Sequence, residues 1–158
     1  MKRIFKSISL IVFTLAVAVM AGACHDADPE YVHTDNLINQ LFMMTSQQGA
    51  QYSFTIIEYD AQGNVVDKDI TAEKVAGGYG MAYIEFPISQ MDEIDLTKVY
   101  LTADVGYDVI IIPGLTGQHD ITGDGIVVAA KGGNGKARKY RIYGYFNLTL
   151  NRIRNETP

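Results

Sequence analysis

Residues 139–150, KYRIYGYFNLTL, decide the fold class. Tyr140, Ile142, Gly144, Phe146, Leu148 and Leu150 fall on one side of an extended chain, and Arg141, Tyr143, Tyr145, Asn147 and Thr149 on the other. Successive side chains of a strand point to opposite faces, so this alternation describes a strand with one face in a core and one in water. YGMAYIEFP (79–87) repeats the pattern, with Ala82, Ile84 and Phe86 opposing Met81, Tyr83 and Glu85 before Pro87 ends the pairing. TKVYLTADV (97–105) does so again, setting Val99, Leu101, Ala103 and Val105 against Lys98, Tyr100, Thr102 and Asp104.

YDVIII (107–112) and GIVVAA (125–130) are unbroken apolar runs, the pattern expected of strands covered on both sides. Between the runs lie turn residues. YDAQGNVV (59–66) holds Gly63 and Asn64, and KGGNGKARKY (131–140) holds three glycines and an asparagine, all tolerant of positive φ. Both read as hairpins. Such spacing predicts an all-β domain over residues 36–154, an antiparallel, immunoglobulin-like β-sandwich of about six to eight strands, with residues 155–158 as a tail. NLINQLFMMTSQ (36–47) stays open between strand and helix, because Leu37, Leu41 and Met44 also satisfy helical spacing.

The N-terminus has a different character. Lys2, Arg3 and Lys6 precede an apolar stretch from Ile8 to Met20, shorter than the ~20 residues of a spanning helix. Ala21, Gly22, Ala23 and Cys24 follow, and this AGAC resembles the lipobox of bacterial lipoproteins. The resemblance implies cleavage before Cys24, a diacylglyceryl group on its sulfur and an acylated amine, with residues 1–23 as the signal peptide. Each buried methylene contributes ~0.8 kcal/mol, and stable anchoring takes about two chains or signals. Residues 24–35 read as an acidic tether without apolar periodicity. Asp26, Asp28 and Glu30 in it resemble the signal that sends Bacteroidetes lipoproteins to the outer face of the outer membrane.

Cys24 is the only cysteine, so no internal disulfide forms and the fold must stand on its core. Without residues 1–23 the chain falls from 158 to 135 residues, the size of one domain. Its basic count falls from 13 to 10 against 18 acidic residues, a formal charge of −8. So acidic a chain is unsuited to nucleic acid, which demands basic patches.

Two longer segments carry a second resemblance. EIDLTKVYLTADVGYDVIIIP (93–113) and GIVVAAKGGNGKARKYRIYGY (125–145) are similar to small sandwich domains of Bacteroidetes surface lipoproteins. The shared features are Asp95, Leu96 and Thr97 ahead of one strand and Lys139–Tyr140 opening the last; LTGQHDITGDG (115–125) departs from the pattern. What the resemblance implies is architecture and a surface address, not an activity.

Chemistry-bearing constellations are few. Asp120, Thr122, Asp124 and Gly125 occupy the first, third, fifth and sixth positions of a calcium loop, where oxygen ligands converge on a cation. Position twelve is Lys131 instead of glutamate, so a polar turn is the plainer reading. KGGNGKA (131–137) lacks the glycine spacing and the Ser or Thr of a phosphate loop. His119 is the sole imidazole beyond the tether, and Ser46, Ser53 and Ser89 carry no nucleophile-elbow signature. No enzyme and no cofactor is therefore expected. Ten Tyr and no Trp leave one aromatic feature, the outward row Arg141, Tyr143 and Tyr145, a ledge for a sugar ring or for another surface protein. The expectation is a lipid-anchored outer-membrane module facing the exterior, which binds, adheres or spaces. The alternative is a glycan-binding accessory of polysaccharide uptake.

Overall fold

A computed structural model describes residues 33–66 and 69–147. The signal peptide, Cys24 and Leu148–Leu150 lie outside the described residues. Ten strands follow in chain order: β1 (Ile38–Met44), β2 (Gln51–Ser53), β3 (Thr55–Tyr59), β4 (Val65–Val66), β5 (Tyr79–Pro87), β6 (Val99–Val105), β7 (Ile110–Ile112), β8 (Gln118–His119), β9 (Ile126–Lys131) and β10 (Ala137–Asn147). They build a four-stranded sheet, β2-β1-β6-β8, and a six-stranded sheet, β4-β3-β5-β10-β9-β7. The domain is an all-β sandwich.

The alternation in β10 and β5 is realised: Tyr140, Ile142, Ala82, Ile84 and Phe86 are all buried. They meet Leu41 and Met43 of β1 and Val99 and Leu101 of β6 in one core between the sheets. Both expected hairpins form. In the first, Tyr59 pairs with Val65, Gly63 takes φ 82°, and the Asp60 carboxylate accepts the amides of Gln62 and Asn64. In the second, Lys131 pairs with Ala137 across the turn at Gly132–Lys136.

Three features depart from the sequence reading. First, β10 and β5 run parallel over nine residue pairs, from Lys139 with Tyr79 to Asn147 with Pro87, so the larger sheet is mixed. Second, ten strands form, but only six have five or more residues; β2, β4, β7 and β8 are two or three residues long. Third, the apolar runs are covered on one side only. β7 is an edge strand, Ile110 and Ile112 are 57% and 47% exposed, and Val127 of β9 is 49% exposed. Val109, Ile111, Ile126, Val128 and Ala130 of these runs turn toward the core.

The 36–47 segment is a strand. Its register against β6 shifts between Ile38 and Gln40, a bulge that adds one residue. Ile38 and Leu41 are therefore both buried although three positions apart, which is why the segment also fits a helical spacing.

A charged network closes one end of the core. Arg138, 2% exposed, donates from Nε to Glu58 Oε2 at 2.7 Å, from Nη1 to the carbonyl of Val75, and from Nη2 to those of Tyr59 and Tyr79. Glu58, 3% exposed, accepts the Tyr140 hydroxyl on Oε1 at 2.7 Å, and that hydroxyl accepts the amide of Ile38 at 3.0 Å. Ile38 belongs to the opposite sheet, so the network spans both layers. Burial and the adjoining Glu58 carboxylate push the Tyr140 hydroxyl far above the ordinary tyrosine range.

Candidate functional site

The outward face of the six-stranded sheet is the candidate site. Period-two alternation sends Lys139, Arg141, Tyr143 and Tyr145 out of β10, and the parallel register sets them beside Tyr79, Met81, Tyr83 and Glu85 of β5. On the other side of β10, Lys139 faces Ala129 and Arg141 faces Val127 of β9. Beyond β9, Ile110 pairs with Lys131 and Ile112 with Ala129. Row after row of backbone pairing thus lays an aromatic, apolar and cationic surface flat across four strands.

The three residues singled out by sequence, Arg141, Tyr143 and Tyr145, do share this face. Tyr83 joins them. The ring centroids of Tyr83, Tyr143 and Tyr145 lie 6.1–6.3 Å apart, with planes 18–27° from parallel. Such spacing falls within the range of favourable aromatic pairs. A second pair, Tyr59 and Tyr79, stacks at 4.8 Å and 14° toward the opposite edge of the sheet. Tyr145 remains 39% exposed. Partial covering by its neighbours and the nearby Glu85 carboxylate raise its hydroxyl above the ordinary tyrosine range.

Arg141 is half in water and approaches Asp124 through Nη1, 3.3 Å from the carbonyl oxygen and 3.4 Å from Oδ1. Asp124 is fully exposed, so this pair is weak and leaves the guanidinium free to turn to a ligand. Glu85 accepts a hydrogen bond from Asn147 Nδ2.

The sequence reading missed Tyr83 and Lys139 as members of this group. Tyr83 was legible as an outward residue of its own strand, but nothing local announces that its strand lies parallel to β10.

The calcium-loop residues do not converge. Asp120 Oδ1 accepts both the amide and the hydroxyl of Thr122, at 2.9 and 2.7 Å, which makes a closed turn. Asp124 points to solvent beside Arg141, and no cluster of three His, Cys, Asp or Glu occurs among the described residues. The two Thr122 hydrogen bonds hold the Asp120 carboxyl below the usual carboxylate range. Asp95 repeats the arrangement with Thr97 and is lowered for the same reason. His119, in β8, has a buried Nε2 that meets no hydrogen-bond partner. No nucleophile is hydrogen-bonded to that nitrogen. An open cleft of about 590 Å³ lies elsewhere, lined by Asn36, Glu73, Asn134 and Lys136 among others.

No family model and no curated protein matches the chain. A solved structure from Bacteroides fragilis, of a protein described as secreted, aligns with 72% of this chain and 97% of its own at 11% identity and a TM-score of 0.41.

Proposed function

We propose that the chain is a lipid-anchored module of the outer cell surface that binds through the outward face of its larger sheet and does not catalyse. The observation that carries this reading is the face itself. Val65, Tyr79, Ile110, Ile112, Val127 and Tyr145 are each 39–58% exposed on one sheet surface, whereas isolated exposed apolar residues on a protein surface need no explanation. The lipobox resemblance at Cys24 supports the anchor, and the acidic tether supports the outward address. Adhesion and spacing between surface components are the roles such a module serves.

A second reading is favoured by the ring cluster: a glycan-binding accessory of polysaccharide uptake. Three near-parallel tyrosines beside cations offer apolar faces for sugar rings and donors for their oxygens.

Two measurements test the proposal. Intact mass of the membrane-extracted protein should give a chain starting at Cys24 with added acyl mass, and Cys24→Ser should lose both the mass and the membrane. Proteinase K on intact cells should remove the domain; protection until the outer membrane is opened refutes surface display.

A further inference from the structure

We infer that the ligand of the outward sheet face is an acidic polysaccharide, its sugar rings lying on Tyr143 and Tyr145 and its anionic groups on Lys139, Arg141 and Lys131. This deepens the glycan-binding reading and rests on it.

Charge distribution singles out this face. The whole chain is acidic, with a formal charge of −5. Apart from the buried Arg138, the described residues include six basic side chains: Lys74, Lys98, Lys131, Lys136, Lys139 and Arg141. Three of the six stand together on this sheet face. The carboxylate on the face, Glu85, is engaged by Asn147, and Asp124 stands at the rim. A basic strip on an acidic body attracts an anionic partner to that strip, while the acidic surfaces elsewhere on the molecule repel it.

Pairing geometry sets the cations in line with the rings. Lys139, Arg141, Tyr143 and Tyr145 follow one another on the outward side of β10, so cations occupy one half of the row and aromatic rings the other. Along a strand this row extends roughly 20 Å, at about 3.3 Å per residue. Lys131 stands diagonal to Lys139 across the β9–β10 pair, because Lys131 pairs with Ala137. An extended acidic polymer matches such a row when sugar rings of one stretch lie on the tyrosines and the negative groups of the adjoining stretch meet the cations. A neutral glycan makes no use of the charge on Lys131, Lys139 and Arg141.

Other occupants fit less well. A protein partner matches the apolar side at Ile110, Ile112 and Val127, but lysine is depleted at protein interfaces, and two lysines sit within this face. A second copy docked face to face across a two-fold axis brings the same cations of both chains onto one surface.

The test is binding of the immobilised full chain to alginate and polygalacturonate, which carry carboxylates, and to chondroitin sulfate. Uncharged dextran and a single-stranded oligonucleotide serve as comparisons. The acidic polysaccharides should bind, more weakly as salt rises, because exposed charges are screened. Lys139→Ala with Arg141→Ala, and separately Tyr143→Ala with Tyr145→Ala, should each weaken binding about tenfold. Lys98→Ala, directly before β6 of the other sheet, should not. All these side chains are exposed or half-exposed, and an unchanged melting temperature excludes loss of the fold as the cause.

Equal binding to dextran, or indifference to the loss of both cations, overturns the acidic ligand while leaving a glycan site. Equal binding to the oligonucleotide overturns the glycan in favour of any polyanion. No polysaccharide binding in any arm overturns both, and the mass and protease measurements above then decide the surface module separately.

Discussion

Replacing Arg138 by Met should be among the most damaging single changes in this domain. Methionine keeps much of the length and apolar stem but removes every donor. Glu58 would keep its carboxylate 3% exposed with the Tyr140 hydroxyl as its remaining hydrogen bond, and the carbonyls of Val75, Tyr59 and Tyr79 would lose the guanidinium. Breaking a buried ion pair by removing one partner costs about 3–5 kcal/mol, chiefly from the uncompensated charge left behind. A domain this size has a total stability on the order of 10 kcal/mol. The melting temperature should therefore fall by roughly 10–20 °C. Urea and thermal unfolding of Arg138→Met, Glu58→Gln and the double variant form a cycle. The double variant should lose about 1–3 kcal/mol less than the two single losses combined, since the charge that each single change strands is absent. If Arg138→Met stays within about 0.5 kcal/mol of the parent, as a neutral surface change would, or if the losses simply add, the network is not the coupled unit described here.

Gly80→Ala should cost about 1–3 kcal/mol by chemical denaturation, because a Cβ there meets the ring of the fully buried Tyr140 and one of them must shift. Acid should weaken the fold below about pH 4: Asp95 and Asp120 have folded values below the ordinary 3.8, so their contribution is present above that value and is lost as the pH falls. Thr97→Val with Thr122→Val should flatten that acid limb in a pH series of unfolding midpoints. Alkali should weaken the fold above about pH 10, where Tyr140 ionises in the unfolded chain while its raised folded value keeps it protonated. Tyr140→Phe should flatten this slope, leaving the smaller part due to Tyr145, even as it lowers the overall stability.

How far the structure was legible in advance follows the range of each interaction. Alternation within one strand is a local signal, so the inward and outward sides of β5, β6 and β10 could be read from residues such as Ala82, Ile84 and Tyr140. Hairpins were legible for the same reason, since Gly63 and Asn64 act within a few residues. The parallel partnership of β5 and β10 leaves no local mark, and with it went the joining of Tyr83 to Tyr143. Glu58 and Arg138 keep step with the inward residues Ile56 and Tyr140, but a charge turned to the core needs a partner, and neither local stretch names one. Their burial depends on finding each other across eighty residues of sequence. The apolar run at Ile110–Ile112 misled because continuous hydrophobicity fits a covered strand and an exposed edge strand equally well. The bulge in β1 mimicked a helix by altering the period by one residue.

The parallel pairing of β5 and β10 also governs the order in which the chain can become stable. β10 is the last of the described strands in sequence, yet it lies in the interior of its sheet, between β5 and β9. Without it the larger sheet falls into two fragments, β4-β3-β5 and β9-β7, and the core loses Tyr140 and Ile142. Partners so distant in the chain must close a long loop before any contact rewards the closure. A nascent chain that ends before Ala137 therefore has no complete core to collapse onto. It stays open until β10 arrives to join β5 with β9, and the fold locks only once that strand is in place.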